Sequence, residues 1–205
     1  MLLTLPATLA LAVASGPIIA ALFEGGRFTV EDAAITANIL SILVLGLPGY
    51  VLVKVLTPGF YARKDVRTPV RIAMTILLGS VVANFVLIPF LGIYSLATVT
   101  AAGAWINCLA LYFLLHRRRH FRLDLVTSSR LARQLVAASA MAAVLIGLQR
   151  MLGARFAGST TGEFLLVGLL VGAGIAVYFV IAWVIGGMNK DDLYDLFRRG
   201  KAKEL

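Results

Sequence analysis

Few side chains in this sequence are equipped for chemistry, and their placement decides which chemistry is open to them. His116 and His120 stand at i, i+4, the spacing at which two imidazoles share a helix face and can hold a metal ion. They are embedded in His-Arg-Arg-Arg-His, where like charge opposes a cation, so no metal site is expected. All ten carboxylates lie in loops, at the ends of apolar runs or in the tail. With none inside an apolar run, neither a general acid nor a proton relay can be placed in a bilayer. No enzyme and no cofactor are therefore expected.

Lys54 is the one cation inside an apolar run. Intramembrane charges are costly and often face a cavity, which makes Lys54 a candidate ligand for an anionic headgroup. Only six residues separate it from Phe60, about 9 Å along a helix, so a lysine snorkelling to the interface explains it equally well.

The segment Tyr61-Ala-Arg-Lys-Asp-Val-Arg-Thr-Pro-Val-Arg71 is the most distinctive loop. Thr68-Pro69 reads as a helix start, with Thr68 as the cap and Pro69 at the first helical position. Arg63, Lys64 and Arg67 are either topological charges on a capped turn or a gate that attracts phosphate, and both readings stay open on physics alone. Asn84 and Asn107 are neutral polar residues within apolar runs, and interhelical hydrogen bonding is their expected role.

The elements that must position these residues are membrane spans. The chain of 205 residues is 60% hydrophobic and only 14% charged, with mean hydropathy +0.92. An ordinary soluble domain is roughly 45–50% apolar and about 25% charged. The apolar excess falls into six runs: Leu2 to Phe23, Ala33 to about Phe60 with a kink at Pro48, Ile72 to Phe90, a fourth ending near Leu115, Leu135 to Leu152, and Phe164 to Ile185. None alternates as a transmembrane strand does. The expected fold is all-α, a polytopic bundle of six spans. The first 22 residues are apolar but lack a basic n-region, so the chain is expected to begin within a span, as a fragment or a late-started reading frame would.

A net charge of +9 invites a nucleic-acid reading, but the cations sit in short clusters between spans, where anionic membrane lipids and topology account for them. Fifteen Lys and Arg residues fall on one side of the membrane and three on the other. The rich side (Arg63 to Arg71, Arg117 to Arg133, and the tail) is expected to be cytoplasmic, with both chain ends. Membrane lipids are thus expected partners and nucleic acid is not. The tail from Asn189 is either a short amphipathic helix on the membrane surface or a solvated segment.

Several of these residues carry a family pattern. Leu5-Pro6, Ser15-Gly16-Pro17-Ile18-Ile19, Leu22-Phe23-Glu24-Gly25-Gly26-Arg27-Phe28-Thr29 and Asp32-Ala33 form its first part. Lys54-Val-Leu-Thr-Pro-Gly-Phe-Tyr-Ala-Arg-Lys-Asp65 and Arg67-Thr68-Pro69-Val70 form the second. Together they resemble the MurJ (MviN) family of lipid II flippases, densely over residues 5–71 and more loosely through Asn84 and Asn107. The resemblance implies a fourteen-helix transporter of the multidrug/oligosaccharidyl-lipid/polysaccharide superfamily, of which this chain would be the last six helices. It implies an undecaprenyl-pyrophosphate-linked peptidoglycan precursor as substrate, and the missing N-terminal lobe of the same protein as partner.

On this basis residues 1–116 would be four helices of the second lobe and 117–134 a basic cytoplasmic loop. Residues 135–187 would be two helices forming a groove for the lipid tail, and 188–205 a cytoplasmic tail. Lys54, Arg63, Lys64 and Arg67 are the candidates for capturing phosphate. Some relatives bind sodium through an Asn and an Asp one turn apart; Asn84 matches the first, but Ile88 stands in the second place, so no sodium site is expected. The nearest competing function is another exporter of the superfamily, for a polysaccharide precursor or a drug. A non-transporting membrane scaffold is the competitor from another class, and a membrane enzyme acting on polyprenyl phosphates ranks last.

Overall fold

A computed structural model describes residues 2–23, 28–117, 125–156 and 160–184. These form α1 (Thr4–Phe23), α2 (Val30–Val44), α3 (Leu47–Tyr61), α4 (Arg67–Leu91), α5 (Tyr94–Arg117), α6 (Leu125–Phe156) and α7 (Thr160–Val184). Among the described residues, six helical stretches are long and apolar enough to cross a membrane, with α2 and α3 together counting as one. The fold is the expected all-α polytopic bundle. Residues 24–27, residues 118–124 with His120, and everything after Val184 lie outside the described residues.

The second span departs from the continuous kinked helix expected. It breaks at Leu45–Gly46, ahead of Pro48. Proline has no amide to donate and its ring collides with the carbonyl four residues back, which is that of Val44, so the helix ends there and restarts at Leu47. α5 closes against the break. A Cβ on Gly46 would lie 3.0 Å from the Ala101 Cα, and one on Gly49 would lie 3.0 Å from the Ala104 carbonyl carbon. Absent side chains at these two positions let the backbones meet.

The chain after the break packs α3, α4 and α5 at one end through buried Leu56, Phe60, Cys108, Leu111 and Leu115, with Ile72 against them. A second core joins α1 to α6 and α7 through Leu5, Ala14, Ala137, Met141, Leu145, Leu170 and Tyr178. The Tyr178 hydroxyl donates to the Leu2 carbonyl at 2.6 Å, so α7 is tied to the start of the chain. α1 is thus shared: it also meets α2, where the Ser15 and Ser41 hydroxyls lie 2.7 Å apart and Ser41 donates to the Ala12 carbonyl. Helix α6 begins at Leu125, inside the segment read as the 117–134 loop. The basic stretch before the fifth span is therefore partly a helical extension of it.

Candidate functional site

Lys54 lies on the face of α3 turned away from the α3–α5 core. Tyr50, Lys54, Pro58 and Tyr61 are all exposed, spaced by four, four and three residues, and so form one stripe along the helix. Pro58 has no amide, so the helical ladder offers no donor to the Lys54 carbonyl four residues back. The stripe carries a cation, a freed carbonyl and two phenols through an apolar helix. It leads directly to the corner that holds Arg63 and Lys64.

That corner is built by a tight chain reversal. The Lys64 amide donates to the Tyr61 carbonyl at 2.9 Å and the Asp65 amide to the Phe60 carbonyl at 3.2 Å, with Lys64 at φ 61°. This is the pattern of a Schellman helix end, in which the left-handed position usually belongs to glycine. A lysine there costs about 1–2 kcal/mol of backbone strain. Helix α4 then starts without the cap expected from Thr68, and this is a correction. Asp65 supplies the cap: its Oδ1 accepts from the Thr68 amide at 3.1 Å and its Oδ2 from the Thr68 hydroxyl at 2.8 Å. Aspartate outcompetes threonine because it stands three residues before the amide that needs an acceptor, where a capping side chain reaches. Pro69 follows inside the first turn and is the only buried residue of α4.

Arg63, Lys64 and Arg67 are all exposed, while Phe60 and Pro69 anchor the corner from either side. His116 and Arg117 close α5 at the same end of the bundle, since Leu115 packs with Phe60. The structure thus gathers three of the four candidate cations on one corner and sets Lys54 on the stripe below it.

Asn84 and Asn107 separate in role. The Asn84 Nδ2 donates to the Ser80 carbonyl at 3.0 Å, and its Oδ1 accepts from the Ser95 hydroxyl at 3.1 Å, joining α4 to α5. Asn107 keeps its Oδ1 buried without a hydrogen-bond partner. Among the described residues no group of three or more metal-ligating side chains converges.

Among the described residues the bundle carries at least two grooves, and neither of these is lined by the candidate cations. One, of about 430 Å³, runs between α4 and α5 past Gly79, Ser80, Ala83 and Gly103. The other, about 420 Å³ and almost wholly apolar, lies between α1 and α7 over Met141 of α6, with Pro6, Ala10, Leu170, Ile175 and Phe179 in its walls. From the sequence a lipid-tail groove was expected on the last two spans alone, whereas this groove has a further wall in α1. Pro6 and the small residues along α1 were its only visible trace.

Comparison with known proteins fixes what kind of bundle this is. The family model "Lipid II flippase MurJ" matches residues 1–170. The chain belongs to the MurJ family. A probable lipid II flippase MurJ from Rhizobium meliloti (strain 1021) is 36% identical over 203 residues, covering 98% of this chain and 38% of that protein. Another from Rhizobium tropici is 36% identical over 197 residues, covering 92% and 36%. A solved MurJ structure, in an inward closed conformation, superposes with a TM-score of 0.70 at 23% identity, over 89% of this chain and 36% of that one. That likeness is one of fold. The chain spans little more than a third of the length of these MurJ relatives.

Proposed function

We propose that the chain is the C-terminal portion of a flippase that carries an undecaprenyl-pyrophosphate-linked peptidoglycan precursor across the bacterial inner membrane. The family match over residues 1–170 is the observation that carries this reading. The remainder of the longer protein supplies the other helices, including the opposing lobe, and the two lobes rock around the substrate by alternating access. The chain has a transport role and not a catalytic one.

The charge asymmetry orients the bundle. The α3–α4 corner, the end of α5 and the tail face the cytoplasm, together with both ends of this chain. Arg63, Lys64 and Arg67 then meet the pyrophosphate as it arrives from the inner leaflet, and the stripe through Lys54 draws it inward. Guanidinium and ammonium groups suit that task because each forms charge-assisted hydrogen bonds to phosphate oxygens. Residues 1–116 form part of the second lobe. The apolar groove on α1, α6 and α7 takes the polyprenyl tail by van der Waals packing, since within a bilayer the tail exchanges lipid contacts for protein contacts.

The test is transport by the full-length protein in proteoliposomes, read as the fraction of lipid-linked precursor accessible from outside. Protein-dependent movement that falls in an Arg63→Ala/Arg67→Ala variant supports the reading. A correctly inserted protein that moves no precursor contradicts it.

A further inference from the structure

We propose that Asp65 is a positioning residue. Its carboxylate clasps Thr68 and thereby holds Arg63, Lys64 and Arg67 in one arrangement ready for a pyrophosphate-bearing headgroup. The inference rests on the reading of this corner as the point of phosphate capture, and adds the element that shapes it.

Three observations carry it. First, both carboxylate oxygens of Asp65 are engaged by one residue, the amide and the hydroxyl of Thr68. Second, the Asp65 amide itself donates to the Phe60 carbonyl, so the same residue closes α3 and opens α4. Third, the corner is anchored by buried Phe60 and Pro69, while the cations between them are exposed. Asp65 is therefore the link between two rigid ends, and the cations are carried on it.

The physical consequence concerns preorganisation. Arg63 and Lys64 precede the clasp and Arg67 lies within it, so three like charges fall within five residues of chain and repel one another. Without the Asp65–Thr68 bonds the first turn of α4 frays and the cations spread apart. A doubly charged headgroup must then regather them on binding, at a cost that a prepared corner avoids. Lys64 in the left-handed region fits this account, since the reversal is held by its hydrogen bonds and not by a residue suited to the conformation.

A competing role for Asp65 is simple charge balance among the basic residues. The two roles part on one substitution. Serine caps helices about as well as aspartate but carries no charge, so Asp65→Ser keeps the clasp to the Thr68 amide and abolishes the balance.

The experiment measures initial flipping rate against surface density of the pyrophosphate-linked precursor. It compares the full-length parent with Asp65→Ala, Asp65→Ser, Thr68→Val and Arg63→Ala/Arg67→Ala in proteoliposomes. Asp65→Ala is expected to raise the half-saturating density roughly 5-fold while the maximal rate stays within about 2-fold, with Asp65→Ser returning near the parent. Saturation like the parent in Asp65→Ala overturns the proposal, as does equal impairment of the alanine and serine variants. A fall in maximal rate at unchanged half-saturation also overturns it, because it marks a structural role alone. If Asp65→Ala inserts poorly, Thr68→Val decides by the same criterion. Parent-like saturation of Arg63→Ala/Arg67→Ala removes the capture reading itself. Impairment there beside a normal Asp65→Ala removes only the present proposal.

Discussion

The indole nitrogen of Trp105 donates to the carbonyl of Leu45 at 3.0 Å, across the break that divides α2 from α3. A carbonyl beside a helix break lacks full support from the ladder, and in lipid such a group needs another donor. Trp105→Phe keeps the aromatic bulk and removes only that donor. It is expected to destabilise the full-length protein by about 0.5–1.5 kcal/mol, read from unfolding in mixed detergent micelles. Unchanged stability would mean that lipid or another helix satisfies the carbonyl.

Gly49 supports the same junction from the other side. A methyl group there meets the backbone of Ala104 and Trp105, which cannot move as a side chain would. Gly49→Ala is expected to cost about 1–3 kcal/mol through overpacking. Gly79→Ala is the control, since nothing lies within 4 Å of its added Cβ. It should be neutral or stabilising by up to about 1 kcal/mol through helix propensity. Equal effects at both positions would show that close approach is not what selects glycine at 49.

Asn84 and Ser95 couple α4 to α5 by one side-chain bond. A double-mutant cycle with Asn84→Ala and Ser95→Ala is expected to give an interaction energy near the membrane-protein average of about 0.6 kcal/mol. Additive losses would show that the bond contributes nothing to the pairing of the two helices.

How far the sequence foretold these features depends on the range of the interaction. The six spans were legible because hydrophobic length is a local property. Pro48 announced a disturbance, but the break falls before it because the clash is with the Val44 carbonyl. At the basic corner Asp65 and Thr68 were both visible. Two residues that each cap helices compete, and only the positions of the amides decide which one does. The start of α6 was misplaced because Leu125 to Arg133 is polar enough to read as loop when hydrophobicity alone is scored. Ser95 as the partner of Asn84, and α1 as a wall of the apolar groove, follow from tertiary packing that no local pattern encodes. The candidate cations were found by type and spacing. Three of them already shared one loop in the sequence, and only the exposed stripe that carries Lys54 toward it needed the fold.

Orientation yields to labelling. Native Cys108 is buried and should stay silent, so single cysteines report cleanly. Lys64→Cys and Arg117→Cys are expected to react with a membrane-impermeant thiol reagent only from the cytoplasmic side, and Ile93→Cys, exposed in the α4–α5 turn, only from the outside. The opposite pattern would invert the bundle and take the basic corner away from the inner leaflet.

The central claim is that this chain serves a flippase through its basic corner, and complementation tests it most directly. The full-length reading frame is expressed in cells depleted of their own lipid II flippase, beside Lys54→Ala and Arg63→Ala/Arg67→Ala forms present at equal membrane levels. The account predicts that the parent restores growth and cell shape, and that the charge-deleted forms do so poorly or not at all. A parent that inserts normally yet restores nothing would contradict it.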